Sequence, residues 1–399
     1  MHAGFARSLR PGGAELDAGP TVFTMRWVFE GLFADCGERF ADHVALDPCG
    51  LLARHAWTDG SRFDLHADPA RARAEVAAFA GPAEAARFDA FRARAARIHD
   101  ALEQPFIAAQ RPGMLELLRR VGLRRLGALF ETTPFQTMAA ALARDFRDPR
   151  LRQLFGRYAT YCGSSPYAAP ATLMLVAHVE LAGVWLVRGG MRRLAAAAAE
   201  LAQAKGAAIR CGAHVAAIET SGGAVSAVRL ADGERLPADA CVFNGDVGAL
   251  AAGLLGPDVA RAAAPVARAD RTISAVVFSA FARTAGFPLA RHSVFFDPAD
   301  YAREFDRIFR QRTTNDRPAV YVCAQDRGPD DRDAPAGRER LHIHVNAPAD
   351  GDSRPMTDQE VARCKTNTLA LLQDCGLTLD LGPDTTITTA PQGFEALFP

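Results

Sequence analysis

The order of elements legible in this chain predicts an α/β fold of two interleaved parts. Three observations predict it. A short strand, VWLV, runs through Gly189-Gly190-Met191 into a strong helix, MRRLAAAAAELAQAKG, and three further strands follow. A long, mostly helical stretch from Trp27 to about Glu180 precedes that unit. A second region of mixed strands and helices follows it. This is the order of an α/β nucleotide-binding domain whose chain leaves to build a substrate domain and returns. The expected partition is 1–22, 23–180, 181–262 and 263–399, with the first and third segments forming one domain.

Each element has a local reason. Residues 14–22, AELDAGPTV, read as a short extended segment with turn chemistry at Gly19-Pro20. FDAFRARAARIHDAL (88–102) places apolar residues at helical spacing with arginines opposite. LARDFRDPRLRQLFGRYATY (142–161) reads as a second helix, stopped at Gly163-Ser164-Ser165-Pro166, and APATLMLVAHVELA as a buried one. The helix after Met191 ends at Gly206, a natural C-terminal cap. HVAAIETSGGAVSAVRLADGERLPADA then holds a three-stranded meander with turns at Gly222-Gly223 and Asp232-Gly233. CVFN reads as a returning strand that ends at Asn244-Gly245-Asp246, before the helix VGALAAGLL. Strands are expected at 271–282, 319–324 and 340–346, with helices in YAREFDRIFRQR and QEVARCKTNTLALLQDCG.

Composition narrows the function. The 399 residues are 49% hydrophobic and 23% charged, with zero net charge, so the chain is neither disordered nor drawn as a whole to nucleic acid. Lysine occurs at Lys205 and Lys365 alone, and neither follows a Gly-rich loop, which excludes a phosphate-loop lysine. The eight cysteines include no C-x-x-C pair, and no glycosylation acceptor occurs, so a reducing compartment fits. The N-terminus lacks an apolar signal core, and no apolar run approaches about 18 residues. G-x-G-x-x-G, G-x-x-x-x-G-K and G-x-S-x-G are all absent. His342 and His344 alternate on one strand face; they either ligate a metal with no evident third ligand or face solvent, and no metal is expected. Asp330-Asp331-Arg332-Asp333 lacks calcium-loop spacing and reads as a solvated turn.

LDAGPTVFTMRWVFEGLF, DPRLRQLFGRYATYCGSSPYAAPATL, GVWLVRGGMRRLAAAAAELAQAKGAAIRCGAHVAAIE and VRLADGERLPADACVFNGD, in that order, resemble the bacterial phytoene-desaturase family of FAD-dependent carotenoid oxidoreductases. GPTVFTMRWVF, RYATYCGSSP, YVCAQDRG and the closing FEALFP resemble members that act on 1-hydroxylated acyclic carotenoids. The resemblance implies an FAD-binding, Rossmann-like domain of the amine-oxidase kind. It is expected to be incomplete, with an inserted, mostly helical and α+β substrate domain. The family's Gly-rich turn and its closing Gly-rich segment are both expected to lie beyond this chain. AGFARSL stands at the family's Gly-Gly-basic-x-Arg segment, where Arg7 matches and Phe5 replaces the basic residue.

The same resemblance implies site residues. Gly19, Pro20, Thr21 and Val22 would pass beside the isoalloxazine ring, where slim backbone permits close approach; the alternative is a plain turn. Gly189, Gly190 and Met191 would open a second flavin-contacting helix. Val215 would hold the adenine side through its backbone or serve as a core valine, and Asp246 would contact the cofactor or cap the next helix. Asp148 and Arg152 are the charged residues to test for catalysis, against a helix-surface pair at i, i+4.

The implied reaction introduces a C-3,4 double bond into 1-hydroxy or 1-methoxy acyclic carotenoids by hydride transfer to flavin. The alternatives are desaturation of phytoene or a related carotenoid, and an inactive flavin-free fragment that binds membrane or lipid. The expected partners are a long apolar carotenoid and a membrane surface, with no nucleic acid. Residues 112–135 bear Leu115, Leu118, Leu126, Leu129 and Phe130 beside Arg119, Arg120, Arg124 and Arg125, a pattern suited to a lipid interface or to a core helix with a wet basic face. The implied location is cytoplasmic, peripheral to the inner or photosynthetic membrane.

Overall fold

A computed structural model describes residues 7–103, 107, 135–265, 267, 271–299, 301–329 and 335–398. Phe5, Asp330–Asp333 and, apart from Phe135, the amphipathic stretch 112–135 lie outside the described residues.

The chain opens with β1 (Ser8–Leu9) paired antiparallel to β2 (Leu16–Asp17), followed by α1 (Arg26–Asp35). Strands β3 (Leu46–Pro48), β4 (Leu51–Trp57) and β5 (Arg62–His66) come next, then α2 (Pro69–Ala80) and α3 (Pro82–Leu102). Asp68 starts α2 by accepting the Arg71 N–H at 2.7 Å. Then come α4 (Met138–Asp145), α5 (Pro149–Gly156), a 3-10 turn over Arg157–Cys162, α6 (Leu175–Ala182), β6 (Trp185–Val187) and α7 (Met191–Ala204). The meander follows as β7 (Val215–Ser221), β8 (Ala224–Leu230) and β9 (Arg235–Pro237). The last region holds β10 (Ser274–Gly286), β11 (His292–Phe296), β12 (Val320–Ala324), β13 (Arg338–Ala347), α8 (Asp358–Asp374), β14 (Leu377–Leu379) and β15 (Thr386–Thr389).

An eight-stranded sheet in the order β14-β10-β13-β12-β11-β4-β5, with β15 also on β10, is the frame of the molecule. Its ladders are antiparallel except β11 with β4. Strand alternation gives it two chemically different faces. Phe278, Phe295, Val322, Ile343 and Val345 pack under Leu371 and Leu372 of α8. The opposite face carries His292, Tyr321, Cys323, His342 and His344. Toward β4 it is sealed by helical side chains, with Phe88, Phe91, Phe146 and Phe155 joining Trp57 and Phe296 in one core. A third cluster, Phe23, Phe33, Phe40 and Val187, joins α1, β6 and α7.

Four expectations need correction. The region 23–180 is not mostly helical throughout, because β3, β4 and β5 lie inside it and the latter two extend the main sheet. LLARHAW has no clean alternation because nearly every residue of β4 is buried, so its period is hidden. The stretch 142–161 is broken from Phe146, where ψ is 144°, to Asp148, where ψ is 123° as the following proline favours, and helix restarts at Pro149. CVFN forms no ladder; no described strand lies alongside to pair with it, and Val242 is 94% exposed. His342 and His344 do not stand in solvent, for their face of β13 turns into the molecule, where His342 is buried and His344 half-buried.

Candidate active site

The inner sheet face is built by period-two strands. In β12, Val320 and Val322 turn toward α8, which leaves Tyr321 and Cys323 on the other side. Register then brings His292 opposite Cys323 and His344 opposite Tyr321. The extended segment Ala18–Phe23 crosses beside this face. Gln325 clamps its start, accepting the Asp17 N–H at 3.0 Å and donating to the Asp17 carbonyl at 2.6 Å. Trp185 of β6 donates its N–H to the Phe23 carbonyl at 3.0 Å and holds the far end. Between these anchors, Thr21 and Tyr321 share a hydroxyl–hydroxyl hydrogen bond of 2.7 Å, and Tyr321 shares another of 2.7 Å with His292 Nδ1.

Among the described residues, His292 Nε2, His342 Nδ1 and the Ser279 hydroxyl on this face have no hydrogen-bond partner. Burial pushes the His292 imidazole down to about 3, aided by the charges of Arg291 and Arg157. Burial, then His344 and Arg7, pushes His342 down to about 3, and burial lowers His344 to about 4. All three rings are therefore neutral at pH 7, while burial holds the Tyr321 phenol well above its ordinary value. These rings and the phenol add polar groups to the face without adding charge.

A charged cluster lies behind it. Arg157 donates to the Tyr161 hydroxyl at 2.6 Å, and Tyr161 donates to Glu180 at 3.2 Å. Tyr158 also donates to Glu180, and the Arg157 guanidinium lies 3.7 Å from that carboxylate. Burial opposes the arginine's charge, but Tyr161 and Glu180 hold it protonated above its ordinary value.

The segments 17–22 and 189–191 are in direct contact. Gly190 has φ +85°, and a Cβ there would come within 2.1 Å of Asp17 Oδ2. That gap lets the Asp17 carboxylate take the N–H groups of Met191 and Arg192 at the start of α7. Burial nevertheless raises the Asp17 carboxyl above its ordinary value. Arg7 accepts the Ala18 N–H at its carbonyl and donates to the Thr389 hydroxyl at 3.2 Å, so it joins the same neighbourhood.

Other sequence-predicted residues have local duties. Val215 opens the β7–β8 ladder opposite Leu230. Asp246 caps the helix Val247–Ala251 by accepting the Gly248 N–H at 2.6 Å. Asp148 caps α5 through the Arg150 N–H at 2.8 Å and binds the Arg150 guanidinium. Burial works to raise the Asp148 carboxyl, but Arg150 prevails and holds it below its usual range. Arg152 donates to the carbonyls of Phe146 and Arg147 at 2.8 and 2.7 Å. The i, i+4 ion pair expected between Asp148 and Arg152 is not formed, because the capping carboxylate bends back to Arg150. Sequence reasoning missed Thr21's partners Tyr321 and His292; the alternation of VYVCA in a strand was the available signal.

Residues 4–384 match the family described as flavin containing amine oxidoreductase. The chain is 51% identical over 399 residues to a hydroxyneurosporene desaturase of Rubrivivax gelatinosus, covering 99% of this chain and 75% of that relative. It is 44% identical over 397 residues to a hydroxyneurosporene desaturase of Cereibacter sphaeroides, covering 99% and 78%. A solved putrescine oxidase variant shares the fold at TM-score 0.54 and 13% identity, over 97% of this chain and 76% of the other. With its inner sheet face, segment 17–22 and α7 arranged as above, the chain belongs to the flavin-containing amine oxidoreductase family, and FAD is its cofactor.

Proposed function

We propose that this protein is an FAD-dependent desaturase that introduces the C-3,4 double bond into 1-hydroxylated acyclic carotenoids. The observation that carries the reading is 51% identity maintained over 99% of the chain to a hydroxyneurosporene desaturase. Bound FAD supplies the hydride acceptor. The buried face fits such a group: among the described residues His292 Nε2, His342 Nδ1 and the Ser279 hydroxyl are unpartnered polar atoms on the same sheet face that the slim segment Gly19–Val22 reaches through the Thr21–Tyr321 hydrogen bond. Gly19, Pro20, Thr21, Val22, Gly189, Gly190, Met191 and Arg7 are the residues we assign to the flavin's surroundings. Thr21, Tyr321 and His292 orient this wall, and their neutrality keeps unpaired charge away from an apolar polyene. An allylic C–H beside a conjugated chain needs little help from a side-chain base, and we assign no such role to Asp148 or Arg152.

The test feeds 1-hydroxyneurosporene and phytoene separately to cells expressing the chain. A red-shifted product from the hydroxylated substrate is expected. Conversion of phytoene alone, or a purified protein without flavin absorbance, would sink the reading.

We further infer that the protein meets its substrate at the cytoplasmic face of a membrane without crossing it. No described helix is long and apolar enough to span a bilayer. The leucines and arginines of 112–135 have the composition of an interfacial segment. Sedimentation with anionic vesicles, weakened by added salt, is the expected result.

A further inference from the structure

Away from the sheet, α3 and α6 bring two histidines together from positions 79 residues apart in sequence (99 and 178). The rings of His99 and His178 lie 4.7 Å apart, centroid to centroid, at 44°. Asp100 completes a group in which one ligand atom from each residue lies within 4.8 Å of the others. His99 is 9% exposed, and among the described residues its Nδ1 has no hydrogen-bond partner, although the Asp100 carboxylate stands 3.6 Å away. A buried ring nitrogen without a partner is an unmet ligand position.

From this geometry we infer that His99, His178 and Asp100 bind one divalent first-row transition ion of the zinc type. Two imidazoles with a carboxylate suit such ions. Ligand atoms on one tetrahedral ion stand about 3.4 Å apart, as bond lengths of about 2.1 Å require. The present spacing therefore contracts by roughly an ångström on binding. Asp100, whose side chain is mostly exposed, and the half-buried His178 have room to make that movement. Glu103 lies four residues beyond His99, and its charge acts on His178, so it is placed to neutralise the ion or to supply a fourth ligand. Arg92 also acts on His178 and opposes a bound cation. The ion ties the last turn of α3 to α6. It is a structural clamp and stands apart from the flavin chemistry.

The test uses the full chain stripped with a chelator and titrated with Co2+, whose visible bands separate nitrogen and oxygen ligation from thiolate ligation. This matters because Cys162, Cys211 and Cys241 are exposed. The expected result is one equivalent bound without a thiolate charge-transfer band, and a melting temperature raised by the metal. H99Q and H178Q should each lose that equivalent, and D100N, a surface change that leaves the fold intact, should weaken it at least about tenfold. Binding that persists unchanged in H178Q and D100N, or no binding to the wild-type chain, overturns the proposal.

Discussion

At the scale of single residues, Asp148 and Tyr321 show how position overrides residue type. Asp148 belongs to a charged motif, yet its oxygens are committed to the start of α5 and to Arg150. D148A is expected to lower unfolding free energy by about 1 kcal/mol, measured by urea denaturation, while turnover per bound flavin stays within about twofold. A loss of turnover of 100-fold or more with intact flavin would return Asp148 to the chemistry. Tyr321 has the opposite character, because its hydroxyl joins Thr21 to His292 across the inner face. Y321F leaves a second nitrogen of His292 unpartnered, and a cost of about 1–3 kcal/mol is expected, with reduced flavin content in the purified protein. The histidines give a pH dependence. Folded values near 3 for His292 and His342 lie below the unfolded value of 6.5, so the unfolded chain takes up protons first as pH falls. Their contribution to stability is complete above about pH 6.5 and declines as pH drops toward 3, by at most about 1.4 kcal/mol per pH unit for each ring. Urea midpoints measured from pH 7.5 to 5 should fall, and H342Q should flatten that slope.

At the scale of elements, the turn from β6 into α7 depends on two glycines that are not equivalent. Both have positive φ, +84° at Gly189 and +85° at Gly190. A Cβ at Gly189 would meet nothing nearer than 3.8 Å, whereas one at Gly190 would collide with the Asp17 carboxylate. G189A should therefore cost about 1–2 kcal/mol from backbone strain alone. G190A should cost more, since it also displaces the cap on α7, and it should release flavin; thermal melts and the flavin-to-protein absorbance ratio check both. Equal effects of the two substitutions would contradict the contact between segments 17–22 and 189–191. This pair was visible as a motif, but the carboxylate filling the space beside Gly190 was not, because Asp17 lies far away in sequence.

At the scale of the whole molecule, the large sheet divides the work between its faces. One face is apolar beneath α8, and the other gathers neutral polar groups from β11, β12 and β13. The meander stands beside this frame, and the segment after it has no ladder. Amide exchange should therefore be faster at Val242 and Phe243 than at Ile218 and Val228, which are paired in β7–β8. Equal protection would mean that CVFN finds a strand partner in solution.

Local chemistry by itself determined much of this protein. The α7 helix and its glycine stop, the meander turns and the strands β10, β12 and β13 were all legible, because periodicity and turn residues act over a few positions. Ordered motifs along the chain also pointed to a flavin desaturase. Tertiary structure alone decided the rest. It placed β4 and β5 in the main sheet, since complete burial erases the alternation that marks a strand. It buried His342 and half-buried His344, since whether a strand face meets water depends on what the rest of the chain lays over it. It joined Thr21 to Tyr321 and His99 to His178 for the same reason: such contacts are set by packing between distant segments, which no local pattern encodes.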